Sequence, residues 1–580
     1  MNRRLEKEKH QAALNRRELV AAGLSRRDLL KLGLLTAGGL LIPKSGISAR
    51  ARNSAGTLIS GPSPSPPVRP FVQDFARFVI KQPVSHASLR GPAPQVQPNR
   101  AINPANGLPY EGRTIGHQAA DKFAPVKFYE VTQKLAPTRV HPDLPIQQLW
   151  GFDGMVPGPL YVGRYGEPML VRNYNALPLE NNGFGKNQVS THLHNGHTPS
   201  ESDGFPCYFF DVGQYYDQHY PNVLAGVNST HRDVGGNINE AMSTLWYHDH
   251  MLDFTSQNVY KGLAGMFNLF NDFDSGDETT GFHLPSFPDY DVNMLFSDHI
   301  YDTQTGLLAF DTFNLDGILG DNFLVNGLVQ PVMHVSPRRY RFRWLDAGPS
   351  RFYEFWLTNL ENLNAHNAFY QISTDGNLLP QPLEVERVRL SVAERADVII
   401  DFSRYAGQTL YIENRLEQFD GRGPTGNVLS AGQGNLVLKI IVDGPTVMDH
   451  SVDPATMPKF YELPDKTEPP RIVRNFNFER NNGQWAINGK FMDCDETRVH
   501  VQQDSVEQWN ITNGSGGWQH PAHIHFEEFQ FLSINGTPPP ASLRGRKDVV
   551  RLEHNMTSQC LFRFRDFHGR YPFNCHNVVH

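Results

Sequence analysis

Residues 126–131 read Val-Lys-Phe-Tyr-Glu-Val, and this alternation of apolar and polar side chains is the period of a strand with one buried face and one wet face. The pattern returns at 168–173, 339–345 and 505–512, each time a short extended stretch after Asp153-Gly154, Asn326-Gly327 or Asn488-Gly489. Pairs of this kind accept the left-handed backbone of a tight turn between strands. They recur at roughly 160–175 residues, an interval of domain size and too long for a solenoid repeat. Composition agrees, because 49 Gly and 42 Pro, with 11% aromatic residues, favour short strands and many turns over helical bundles. A chain of 580 residues has room for about three or four domains. The expected architecture is all-β, with three copies of one β-domain.

The formal charge of −7 is unevenly spread, since residues 1–51 hold 11 Lys/Arg against 4 Asp/Glu and the remainder carries −14. An acidic body lacks the basic patch that phosphate backbones and anionic membranes require, so nucleic acid is not an expected partner. No apolar run approaches the ~18 residues of a spanning helix, and an integral membrane protein is not expected. The basic start continues into Ser25-Arg26-Arg27-Asp28-Leu29-Leu30-Lys31, an apolar run over 32–43, and Ala49-Arg50-Ala51. This is the order of a signal peptide, residues 1–51, cut near Ala51. The paired arginines resemble a twin-arginine signal, which implies the twin-arginine export machinery as a partner and a periplasmic or otherwise extracytoplasmic destination.

Residues 52–121 contain GPSPSPPVRP and GPAPQVQP and read as a Pro-rich extended arm, with the ordered body starting at Lys122. Four cysteines are too few for a disulfide framework. Cys207, Cys494 and Cys560 allow one bridge or none, and Cys575 is set apart by its neighbours.

Three H-x-H pairs stand out: His192-Leu193-His194, His248-Asp249-His250 and His523-Ile524-His525, the last within His520-Pro521-Ala522-His523-Ile524-His525. Near the end stands Asn574-Cys575-His576, followed by His580. Residues i and i+2 of a strand share a face, so each pair presents two imidazoles side by side without a helix. Imidazole suits copper as well as zinc, and two His with one Cys and a weak axial ligand make a blue-copper centre, a set that His520, Cys575 and His580 can supply. With Cys575 on one strand face, His576 points from the other toward a second metal site.

In this order, THLHNGHTPSESDG, LWYHDH, HPAHIH and CHNVVH resemble the four copper-binding motifs of the multicopper oxidases, the family of laccases, bilirubin oxidases and bacterial spore-coat laccases. GMVPGP at 154–159, YRFRWLDAG at 340–348 and LSVAERADVIIDF at 390–402 extend the likeness over most of 122–580. The resemblance implies three consecutive cupredoxin-like Greek-key β-sandwiches, expected at 122–275, 276–450 and 451–580. It implies His520, Cys575 and His580 on a type 1 copper and His192 and His523 on a type 2 copper. His194, His248, His250, His525 and His576 would hold a type 3 pair, up to four coppers per chain. Asp203 would assist proton delivery. The implied activity is oxidation of phenolic or other organic donors, or of metal ions, one electron at a time at the type 1 copper, coupled to four-electron reduction of dioxygen to water.

Two departures are visible. The family motif begins His-Cys-His, whereas Asn574 precedes Cys575 here, so one type 3 ligand is missing and weakened activity is expected. The axial type 1 ligand of the family would fall beyond His580, which reads as an incomplete C-terminus. Some exported cupredoxin proteins have lost their coppers and serve as envelope scaffolds, and the departures make that the alternative reading. Twelve Met without a Met-rich segment speak against a cuprous specialist.

Overall fold

The computed structural model describes residues 65–90, 118–119, 121–223 and 244–577 apart from positions 313, 315, 458, 465 and 482, with the backbone of short strands at 50–52, 58–60, 102–103 and 108–109. Arg26, Arg27 and His580 lie outside the described residues.

The chain forms three β-sandwiches in succession. The first is built from β1 (Lys127–Thr138), β2 (Gln147–Phe152), β3 (Tyr161–Arg164), β4 (Met169–Ala176), β5 (Thr191–His194), β6 (Tyr215–Tyr220), β7 (Thr244–Asp249) and β8 (Ala264–Phe270). Its sheets run β6-β4-β1-β2 and β3-β8-β7-β5, closing on Trp150, Phe152, Tyr161, Leu193 and Phe267. The second has an eight-stranded sheet that includes β9 (Asp291–Tyr301), β10 (Asn322–Val325), β11 (Arg339–Asp346), β12 (Phe369–Thr374), β13 (Asn377–Val385) and β14 (Arg395–Asp401). It packs on a five-stranded sheet around Phe296, Phe342, Trp344 and Phe355. The third comprises β15 (Ile472–Asn481), β16 (Gln484–Ile487), β17 (Ser505–Asn513), β18 (His520–Ile524), β19 (Phe529–Ile534), β20 (Val549–Leu552), β21 (Thr557–Phe564) and β22 (Phe573–Cys575). Its sheets run β16-β15-β17-β21-β19 and β20-β18-β22.

The Asp-Gly and Asn-Gly pairs do the same work three times. Asp153, Asn326 and Asn488 have φ of 56°, 49° and 50°, and the glycines after them 72°, 78° and 69°. Each side-chain carboxyl or amide oxygen accepts a backbone N–H from the first strand of its own sandwich, and the residue's own N–H donates back. Thr132 N–H reaches Asp153 Oδ1 (2.9 Å), Leu295 N–H reaches Asn326 Oδ1 (2.8 Å) and Asn477 N–H reaches Asn488 Oδ1 (2.7 Å). The short side chain thus mimics a peptide group and pairs a backbone donor within that first strand. In every sandwich that first strand lies parallel to the strand after the turn: β1 with β4, β9 with β11, β15 with β17.

Alternation along β11 also explains how the sandwiches meet. Tyr340, Phe342 and Trp344 enter the core, each burial contributing about 1.5–3 kcal/mol, while Arg341 and Arg343 point oppositely. Both guanidiniums are fully buried, Arg341 against Asp274 and Asp397, Arg343 against Asp291 and the hydroxyl of Thr244 at the start of β7.

Ordered chain begins well before Lys122. Residues 65–90 form an extended strap that pairs with the second sandwich and then with the first. Phe75 N–H donates to Val332 O (2.7 Å), Lys81 N–H to Leu160 O (2.8 Å) and Val84 N–H to Phe128 O (2.7 Å). Pro-rich chain leaves its backbone groups unpaired internally, so it is free to pair outward, and Phe75, Phe78 and Ile80 supply the apolar anchors. Among the cysteines, Cys207 is bridged to Cys494, linking first and third sandwiches, and Cys560 is buried in the third core without a bridge.

Candidate metal centre

The histidines converge on the seam between the first and third sandwiches. β5 and β7 are antiparallel, with His192 opposite His248 and His194 opposite Trp246, and β18 and β22 set His523 opposite Asn574 and Ala522 opposite Cys575. The H-x-H pairs therefore project from two sheets into one buried space. The His192 and His525 ring centroids are 4.0 Å apart, those of His194 and His523 3.7 Å, and those of His248 and His576 5.0 Å. His250 lies 5.3 Å from His525. Three groups bring ligand atoms within reach of a single ion: His192, His194 and His523; His194, His248 and His576; His192, Asp203 and His525.

Hydrogen bonds fix which nitrogen each ring offers. Nδ1 of His192 faces the carbonyl of Asp203, Nδ1 of His248 the carbonyl of Asp249, Nδ1 of His523 the carbonyl of Asp548 and Nδ1 of His525 the Asp203 carboxylate at 2.7 Å. In all four Nε2 turns inward, and the Nε2 atoms of His192 and His523 stand 3.4 Å apart. His194 differs: its Nε2 lies 3.2 Å from Asp548 Oδ2, and both of its ring nitrogens are buried without a hydrogen-bond partner. Nε2 of His248 and His525 and both ring nitrogens of His576 are buried with no hydrogen-bond partner. Burial, and then the neighbouring imidazoles, hold His192, His248, His250 and His523 well below the usual imidazole range; at His194 the Arg395 guanidinium adds to both. His576 is lowered to about 3. Neutral, inward-turned imidazoles are what a metal binds and what an apolar core does not want, so the donor set fits copper.

The loop carrying Asp203 is pressed against β5. At Gly204, with φ +81°, a Cβ would come within 2.3 Å of Thr191 O, which accounts for glycine after the aspartate. Asn574 faces inward as its alternation with Cys575 required: its side chain lies against His250, and its Oδ1 is buried without a partner.

The expected His520 and Cys575 come together in the third sandwich. His520 Nδ1 lies 3.3 Å from Cys575 Sγ, and its Nε2 is 2.9 Å from Ser515 Oγ. Burial lowers the imidazole to about 3 and raises the Cys575 thiol. Beside it opens a cavity of about 500 Å³ lined by Phe476, Trp485, Met492, His520, Phe573 and Cys575. Trp485 stands 5.1 Å from His520 and 5.3 Å from Trp518, and Arg480 covers both indoles. The His520–Cys575 pair and the histidine cluster are joined by the peptide bond between Cys575 and His576, whose N–H is fixed to Pro521 O (2.6 Å).

Several residues beside the site escape a reading of the sequence. Asp548 and Arg395, and the buried His197 with Asp566 at 2.6 Å, have no spacing that marks them, because tertiary contact alone brings them there. Among the described residues no helix is long and apolar enough to cross a membrane.

The profile of the family described as "Multicopper oxidase" matches residues 465–580. The chain is 31% identical over 460 residues to the bilirubin oxidase of Albifimbria verrucaria, covering 78% of this chain and 74% of that one. To the laccase of Bacillus subtilis (strain 168) it is 28% identical over 512 residues, 78% of this chain and 92% of the other. The crystal structure of a laccase from Pediococcus acidilactici Pa5930 superposes with a TM-score of 0.66 at 21% identity, over 89% and 93% of the two chains. Fold, histidine cluster and these likenesses together place the chain in the multicopper oxidase family. It is accordingly a copper-dependent oxidoreductase of laccase type, with dioxygen as electron acceptor.

Proposed function

We propose that His520, Cys575 and His580 hold a type 1 copper, His192 and His523 a type 2 copper, and His194, His248, His250, His525 and His576 a type 3 pair. The reading rests above all on the inward-turned, neutral imidazoles at the seam. Bound copper would supply the one-electron steps that take electrons singly from a donor and deliver four of them, with four protons, to dioxygen to give two waters. The protein's share is positional. Asp203 holds His525 by its Nδ1 and stands 3.5 Å from Nδ1 of His192, placed to pass protons inward. Covalent adjacency of Cys575 and His576 provides a short through-bond path between centres. Trp485 and Trp518 make an aromatic platform against His520, and Arg480 and Arg422, 4.9 Å and 4.7 Å from the Trp518 ring and both paired with Asp316, frame it for a planar donor. Domains at 122–275, 276–450 and 451–580, export through Arg26-Arg27, and an extracytoplasmic location complete the proposal.

Asn574 favours a second reading, a cupredoxin-fold scaffold with impaired turnover. Copper analysis of the purified protein with a visible spectrum and oxygen uptake on a phenolic donor separates the two. A blue protein with several coppers per chain that consumes oxygen supports the oxidase; a colourless chain without copper after reconstitution supports the scaffold.

A further inference from the structure

The second sandwich contributes no histidine to either centre, yet one of its hairpin turns reaches both halves of the seam. Asp375 and Gly376, between β12 and β13, have φ of 46° and 82° and are buried. Asp375 O accepts from Asn195 Nδ2 (2.9 Å), the residue after His194. Gly376 O accepts from the N–H of Thr244 (3.2 Å), which opens the strand bearing His248, and a Cβ at Gly376 would fall 2.0 Å from Thr244 O. Toward the third sandwich, Asp375 Oδ2 accepts the N–H groups of Asp548 (3.2 Å) and Val549 (3.1 Å) and pairs with Lys547 (2.9 Å). Arg395, at the start of β14, grips the Asp548 carboxylate with both terminal nitrogens (2.9 and 2.8 Å) and donates to Asp375 O (2.7 Å). Asp548 then faces two seam histidines, His194 through its carboxylate and His523 through its carbonyl.

We propose that the Asp375-Gly376 turn and Arg395 form a clamp through which the second sandwich positions the trinuclear centre. The clamp holds Asp548 with its carboxylate 3.2 Å from Nε2 of His194, poised to receive that proton once metal occupies the other ring nitrogen, and with its carbonyl accepting the Nδ1 proton of His523. That leaves opposite ring nitrogens, Nδ1 of one and Nε2 of the other, turned toward metal in rings stacked 3.7 Å apart. Without the clamp, either ring is free to rotate or exchange tautomers, and the seam loses its alignment. Asp548, Arg395 and Asp375 are positioning residues: none supplies a ligand atom. The inference rests on the copper assignment above and goes beyond it, because it gives the ligand-free sandwich a share in metal binding.

The test compares Gly376→Ala and Asp548→Asn with the parent and with Asp274→Asn, which disturbs an equally buried ion pair, that of Asp274 with Arg341. Each protein is loaded with copper, and copper per chain, the type 2 paramagnetic resonance signal and the blue absorbance are measured alongside folded content by circular dichroism. Loss of a group that orients a ligand typically weakens metal binding about 10–100-fold. Copper at the seam should fall by that factor in Gly376→Ala and Asp548→Asn, with altered type 2 hyperfine splitting, while blue absorbance stays at the parent value and Asp274→Asn keeps all its copper. Gly376→Ala acts from outside the histidine shell, so it remains informative if Asp548→Asn folds poorly. Unchanged seam copper in a folded Gly376→Ala, or equal loss in Asp274→Asn, overturns the clamp. A parent that takes up no copper at the seam overturns the copper assignment itself, and the clamp with it.

Discussion

Replacing both Cys207 and Cys494 with serine cuts the only covalent link among the described residues that spans the first and third sandwiches. The bridge closes a loop of sequence separation 287, and restricting a chain of that length lowers the entropy of the unfolded state by a term that grows as 1.5R ln n. The relation gives about 5.7 kcal/mol at 25 °C as an upper bound, against the about 2–4 kcal/mol usually measured. An unfolding free energy lower by about 2–5 kcal/mol is expected for the double variant. Guanidinium unfolding followed by tryptophan fluorescence is the assay, run with and without dithiothreitol. The reductant should bring the parent to the midpoint of the variant and leave the variant where it was. Cys560→Ser, which removes a buried thiol but no bridge, should keep the sensitivity to reductant. If mass spectrometry shows the parent bridged and the two midpoints nevertheless coincide, the seam is held by packing and ion pairs alone and the reasoning fails.

Four further outcomes are expected. Cys575→Ser exchanges a soft sulfur for a hard oxygen, so the blue colour and oxidation of a phenolic donor should both vanish; a variant that stayed blue would place that centre elsewhere. Asn574→His puts an imidazole where a buried amide oxygen now faces the seam beside His250, and it should raise copper per chain and oxygen turnover, whereas equal values in parent and variant would mean that the amide or a neighbour already suffices. His299 is buried in the second sandwich with its imidazole lowered to about 3, so the unfolded chain binds a proton between about pH 6.5 and 3 that the folded chain refuses. Its contribution is therefore whole above 6.5 and shrinks as pH falls, and His299→Asn should flatten the loss of stability over that window by up to one proton, a change that denaturant midpoints at several pH values would register. Arg26→Lys with Arg27→Lys should leave precursor in the cytoplasm, and undiminished export would reject the twin-arginine assignment.

Much of the fold was legible because its signals are local. The three Asp-Gly and Asn-Gly pairs mark turns whose chemistry is carried by two residues, and alternation at 339–345 announces a strand whatever it packs on. The H-x-H pairs are legible for the same reason, since one strand face carries both rings. What could not be read depends on partners far along the chain. Nothing near Asp548 says that Arg395 will grip it, nothing near Cys207 selects Cys494 over Cys560, and the strap at 65–90 looks structureless because its hydrogen bonds belong to other segments.

That strap also imposes an order in time. Gln73 donates both to Val140 O and to Val329 O, the latter 256 residues further on, so the first half of the strap cannot finish docking until the opening strands of the second sandwich have been made. At the ~5–20 residues per second of synthesis, about 13–50 s pass between the appearance of the strap and that of its partner. During this interval the second half of the strap already has its partners Leu160 and Phe128, while the part around Phe75 waits for Val332. Its capture by Val329 and Val332 therefore follows the seating of the rest, and the strap closes over the first two sandwiches from its carboxyl end toward its amino end.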